Sequence, residues 1–118
     1  MNPQQRTPEG VVRRHLQAFR DQEGAAAILA DYHDDASLIT EDAVYRGKGE
    51  ILAFFEAFLG SIPAEAIPRF SLRTLKVDGS VAYITWSLAG LVDLGTDTFL
   101  VDGGKIRVQT VALQAAAR

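Results

Sequence analysis

Two titratable residues of this chain stand in phase with apolar neighbours. Asp97 shares one face of a strand with Phe99 and Val101, because strand side chains alternate with period 2. His15 follows Val12 by three residues and precedes Phe19 by four, so it falls on the apolar stripe of a helix. A carboxylate in such company is either a costly burial or part of a lined cavity. In a cavity it donates a hydrogen bond when protonated and acts as a general base when ionised. An imidazole there polarises a carbonyl or moves protons near neutral pH. Burial beside Phe99 raises the pKa of Asp97, whereas an arginine partner such as Arg69, Arg73 or Arg107 lowers it. If His15 lies close to Asp97, the expected pair is an imidazolium facing a carboxylate.

Other chemistries find less support. His33-Asp34-Asp35 has the composition of a metal cluster, but adjacent residues point in different directions and the chain has only two histidines. A loop at a helix end accounts for it, with Asp35 as a cap or salt-bridge partner, and no metal is expected. Cysteine is absent, which excludes disulfides, thiolate ligands and cysteine nucleophiles. No serine sits in a nucleophile context. Gly47-Lys48-Gly49 falls short of a phosphate loop. An Asp-Arg-Asp set for epoxide opening would draw on Arg73 and Asp97, yet no second in-phase aspartate is evident. No cofactor is called for.

The elements that position Asp97 and His15 follow from pattern. Thr7-Pro8-Glu9 starts a helix, with Thr as cap, Pro at the first turn and Glu at the positive end of the dipole. Val11, Val12, His15, Leu16 and Phe19 continue it, and Asp21 to Gly24 ends it. A second helical segment covers residues 25–32, and a brief strand covers 36–40. The third helix, residues 48–59, carries Ile51, Phe54, Phe55 and Phe58 at i, i+3, i+4 and i+7, and Gly60 stops it. Ile62-Pro63 and Ile67-Pro68 bracket a loop. Residues 69–77, 81–92, 96–101 and 105–113 read as strands. Asp78-Gly79, Asp93-Leu94-Gly95 and Asp102-Gly103-Gly104 supply the turns between them. Helices first and then an antiparallel meander give an α+β fold, with helices on one face of a curved sheet.

The chain has 118 residues, 47% apolar and 23% charged, which suits one globular domain spanning residues 1–118. The first ten residues and residues 115–118 read as loose ends. A formal charge of −3 gives no general attraction for nucleic acid. Arg6, Arg13 and Arg14 read as solvated side chains. No apolar run reaches the roughly 20 residues of a membrane span, and residues 1–6 lack a signal peptide's apolar core. A cytoplasmic location with no membrane partner is therefore expected.

Three stretches carry a resemblance: Val11 to Phe19, Tyr32 through Tyr45 and Ile51 to Phe55, and Asp97 to Ile106. In them the chain resembles the nuclear transport factor 2-like superfamily, in its SnoaL-like branch of polyketide cyclases and ketosteroid isomerases. The resemblance implies a cone, cystatin-like in outline, in which three N-terminal helices and a bent antiparallel sheet enclose an apolar cavity. It also implies a homodimer. In ketosteroid isomerases a tyrosine and a protonated aspartic acid donate to an enolate oxygen, and a second aspartate moves the proton. Carried over, the tyrosine position is His15, the protonated acid is Asp97, and the proton shuttle is Thr40. Threonine is no general base near neutral pH, so steroid isomerisation is not expected.

The expected function is a cofactor-independent isomerase, cyclase or hydratase acting on an apolar small molecule, with His15 and Asp97 catalytic. Phe19, Thr40, Phe54, Phe58, Trp86 and Phe99 are the expected substrate-binding residues. A non-catalytic ligand-binding or dimerisation module of the same fold is the alternative.

Overall fold

A computed structural model describes residues 3–117, with the side chains of residues 4 and 5 left aside. The loose ends expected at residues 1, 2 and 118 lie outside the described residues. Helix α1 runs Pro8–Arg20, and Thr7 Oγ1 accepts the Gly10 N–H at 3.1 Å as its cap. It buries Val11, Val12, His15, Leu16 and Ala18, the face that the spacing predicted. The residues before it are less frayed than expected. Pro3–Arg6 forms a 3₁₀ turn, and the Arg6 stem lies against Gly104.

Helix α2, Ala25–Leu29, is short because Tyr32 already begins strand β1, Tyr32–Ile39. His33, Asp34 and Asp35 therefore lie on a strand and not on a loop. Its pairing shifts register between Tyr32 and Ser37, where these polar side chains turn outward. Asp35 accepts Arg107 Nη1 at 2.7 Å, and Lys48 Nζ stands 3.6 Å from Asp34. A three-residue strand β2, Val44–Arg46, leads into helix α3, Gly47–Gly60. The loop expected around Pro63 and Pro68 is largely a 3₁₀ segment, Ala64–Arg69.

Strands β3 (Phe70–Asp78), β4 (Val81–Leu88), β5 (Val92–Asp102) and β6 (Lys105–Ala115) complete the chain. The sheet order is β2-β1-β6-β5-β4-β3, antiparallel except where β1 runs parallel to β6. The β4–β5 turn falls at Ala89-Gly90-Leu91, with Gly90 at φ 88°, and not at Asp93-Leu94-Gly95. Gly95 sits inside β5 for a different reason: a Cβ there would lie 2.1 Å from the Trp86 ring. Register shifts between Leu72 and Thr74, Trp86 and Leu88, and Val92 and Leu94 bend the outer half of the sheet. The concave face then closes on α1 and α3, with Ile84, Leu88, Phe99 and Ile106 packed toward Val12, Leu16, Ile51 and Phe55 in one core.

Candidate acid–base site

Alternation along β4, β5 and β6 brings three polar side chains onto the concave face. Ile84 pairs with Asp97, Trp86 with Gly95, and Phe99 with Gln109. The Trp86 indole lies across the bare Cα of Gly95 and reaches the diagonal neighbour, donating from Nε1 to Asp97 Oδ1 at 2.7 Å. From the other side Gln109 Nε2 donates to Asp97 Oδ2 at 2.7 Å. The amide of Gln109 is itself held, because the Tyr32 hydroxyl donates to its Oε1. A hydroxyl donor on the amide oxygen turns the amide nitrogen toward Asp97. All four side chains are buried, Asp97 to 7% exposure and Gln109 to 1%.

The network is built for a carboxylate that accepts. Each Asp97 oxygen receives one neutral donor and keeps a second lone pair. Burial raises its pKa to about 6, outweighing the hydrogen bonds from Trp86 and Gln109 that favour the anion. Burial, with the nearby Asp97 and Asp31 charges, also pushes the Tyr32 hydroxyl upward, so it remains a donor. At neutral pH Asp97 is mainly ionised. Two of the three arginines named as its alternative partners are engaged elsewhere. Arg107 pairs with Asp35 and Asp102, and Arg73 donates to the Asp93 carbonyl.

His15 enters from α1. Its ring meets the rings of Phe99, Tyr32 and Phe55 edge-on, with centroids 5.5, 5.8 and 5.9 Å away. Its Nδ1 is buried and, among the described residues, has no hydrogen-bond partner. Burial lowers its pKa to about 4, so the imidazole is neutral at pH 7. The imidazolium–carboxylate pair expected from sequence is thereby corrected: the same apolar shell drives both groups toward neutrality, and only Asp97 carries charge at pH 7.

Both residues line a cavity of about 50 Å³ between α1, α3 and the sheet. Phe19, Phe54, Phe58 and Trp86 are in its wall, as expected, together with Phe55, Phe70, Gln109 and Val111. Phe19, Ile28, Leu59 and Ile62 also border an adjoining space of about 280 Å³. Two of the expected substrate-binding residues, Phe99 and Thr40, are absent from this lining. Phe99 is fully buried behind His15 and supports its ring. Thr40 lies beyond the end of β1, where Oγ1 accepts the Asp42 and Ala43 N–H groups at 3.2 Å each. Its hydroxyl closes the turn into β2 and is absent from the cavity lining.

The sequence comparison agrees with this geometry. The profile of the SnoaL-like domain family matches residues 12–114. The chain belongs to the SnoaL-like domain family. No curated protein matches it. Among solved structures, a de novo designed protein with a curved β-sheet aligns with TM-score 0.75 and 16% identity, covering 97% of this chain and 88% of its own. A candidate polyketide cyclase from Sinorhizobium meliloti gives 0.70 and 20%, covering 86% of this chain and 92% of its own. A candidate ketosteroid isomerase from Kribbella flavida gives 0.71 and 15%, covering 94% and 80%. At such identities the likeness speaks for the fold alone.

Within this SnoaL-like site, sequence reasoning missed Tyr32, Gln109, Gly95 and Phe70. Gln109 carried the same signal as Asp97, a polar residue in phase with Val111 and Leu113 on one strand face. Gly95 was read as a turn former because a close-packed indole leaves no mark in the sequence. No arginine lines the cavity among the described residues, so the Asp-Arg-Asp arrangement is not formed.

Proposed function

We propose that this SnoaL-like protein binds a small, largely apolar molecule against Asp97 and His15 and moves a proton on it, with Asp97 as the base. The reaction type is that of a cofactor-independent isomerase, cyclase or hydratase. The observation that carries the reading is Asp97 itself: a buried carboxylate, fixed by two neutral donors, that borders an apolar cavity. A base whose pKa is about 6 is well matched to proton transfer near neutral pH. The neutral His15, with Nδ1 unsatisfied, offers its second polar contact to a ligand oxygen.

Deuterium exchange at the α-carbon of a small ketone such as cyclopentanone, followed by NMR, tests this directly. The wild type should exchange faster than buffer. Asp97→Asn should lower that acceleration by about 10²–10⁴-fold, the usual worth of a positioned base. Binding of the ketone without exchange would favour the second reading, a non-catalytic ligand-binding module. That reading draws on Thr40, which the sequence resemblance sets against the isomerases' proton shuttle and which is spent on a turn.

We further propose that the convex face of the sheet joins two copies into a homodimer. Val81, Tyr83 and Leu100 are 39%, 40% and 36% exposed there, beside Thr85 and Thr98. A two-fold contact is the commonest way to cover such a patch.

A further inference from the structure

The wall of the cavity is electrostatically one-sided. It holds one carboxylate, Asp97, and no lysine or arginine among the described residues. Every hydrogen bond that Asp97 receives comes from a neutral donor, so its charge is left without a counter-ion. His15 cannot supply one, because its ring is wedged among three aromatic rings and has no partner for Nδ1. The remaining surface includes the rings of Phe19, Phe54, Phe55, Phe58, Phe70 and Trp86. Aromatic faces carry negative quadrupole potential and attract cations. Phe70 already shows this behaviour: the Arg20 guanidinium sits over its ring, 5.1 Å from the centroid. A buried anion inside an aromatic shell repels carboxylates and phosphates and leaves a neutral polar group only one modest contact. A protonated amine meets both features at once, giving a charge-assisted hydrogen bond to Asp97 and ring faces around its alkyl groups.

We infer that the cavity selects a small organic ammonium, its nitrogen facing the free lone pairs of Asp97 and its hydrocarbon part among the phenylalanines. This deepens the reading above and rests on it, since it takes the same cavity to be the ligand site. The cavity of about 50 Å³ fits a compact amine before the wall moves. Larger amines would extend into the adjoining space past Phe19 and Ile62.

Isobutylamine, isobutanol and isobutyrate share one carbon frame and differ in charge, so they separate size from electrostatics. The single tryptophan provides the reporter, because the Trp86 indole N–H is bonded to Asp97 and gives one NMR signal. Isobutylamine should shift that signal and bind at least about tenfold more tightly than isobutanol, with isobutyrate weakest. Asp97→Asn should abolish the preference for the amine, bringing its affinity to that of isobutanol or below. The wild-type series stands alone if that variant folds poorly. Equal binding of amine and alcohol, or tighter binding of the carboxylate, overturns the charge inference and leaves the ligand site standing. Failure of all three to bind overturns it as well. Exchange of cyclopentanone protons would then show whether the acid–base reading survives without it.

Discussion

The two faces of the sheet are built from the same strands, offset by one residue, and each carries the type that the other should have. On the concave side of β4 and β5, Trp86, Asp97 and Gln109 on β6 bring hydrogen-bonding groups into an apolar core. On the convex side Val81 opposite Leu100, and Tyr83 opposite Thr98, leave apolar groups half in solvent. Buried polar and exposed apolar residues are the informative exceptions in a globular protein. Here they separate by alternation alone. The concave exceptions suit a ligand, and the convex ones suit a second protein surface. Changes on one face should therefore leave the other face's behaviour intact.

The largest effect expected on the concave face is in pH dependence. Asp97 has its pKa raised from 3.8 to about 6, so its favourable contribution is full below pH 3.8 and is lost as pH rises through about 6. His15 has its pKa lowered from 6.5 to about 4, so its contribution is full above pH 6.5 and is lost as pH falls through about 4. Between these values the two slopes oppose and nearly cancel. Removing either group uncovers the other, and each is worth on the order of 3 kcal/mol across the window. Urea unfolding at several pH values should show His15→Gln losing stability, relative to wild type, as pH rises from about 4 to 6. Asp97→Asn should gain stability relative to wild type over the same range. Variants whose profiles run parallel to the wild type would show that the two groups are not desolvated as described.

Gly95→Ala should come next. Its Cβ would fall 2.1 Å from the Trp86 ring, so the indole must leave its seat and its bond to Asp97. Overpacking of this kind costs about 1–3 kcal/mol, and thermal unfolding measures it. The Trp86 indole N–H signal should lose the shift that its bond to Asp97 gives it. A variant of wild-type stability with an unchanged indole signal would refute the close approach.

The convex face should respond in assembly. Tyr83→Arg together with Leu100→Arg should convert a dimer to a monomer in sedimentation at micromolar concentration. The indole signal on the opposite face should stay in place. A wild type that sediments only as a monomer removes the case for the dimer.

What could be read from the sequence follows how local each determinant is. The cap at Thr7, the stripe from Val11 to Phe19 and the turns at Asp78-Gly79 and Asp102-Gly103-Gly104 rest on neighbouring residues, and they appear where expected. The inward phase of Asp97 is local in the same sense. Its surroundings are not. Tyr32, 77 residues from Gln109, orients that amide, and nothing near Tyr32 announces the contact. The sequence-based helix over residues 25–32 hid it, because Ala-rich sequence favours helix while pairing with β6 draws Tyr32 into a strand. Gly95 misled in the same way: its want of a side chain serves packing, and the chain turns four residues earlier, at Ala89-Gly90-Leu91.

Thr40 gives the smallest expected effect and the sharpest limit on the family comparison. The resemblance read from sequence sets Thr40 against the aspartate that carries the proton in ketosteroid isomerases. If position alone decided function, Thr40→Asp would install the missing base. The geometry here argues otherwise. Thr40 Oγ1 is engaged with the Asp42 and Ala43 N–H groups, and an aspartate oxygen can take the same two donors as an Asx turn. The new carboxylate would stay at the β1–β2 turn, outside the wall that contains Asp97. Thr40→Asp should therefore leave stability within about 0.5 kcal/mol. Turnover of a β,γ-unsaturated ketosteroid should stay at the background level of the wild type. Appearance of isomerase activity would mean that the end of β1 bends inward when substrate is bound, and the base would then have to be sought there as well as at Asp97.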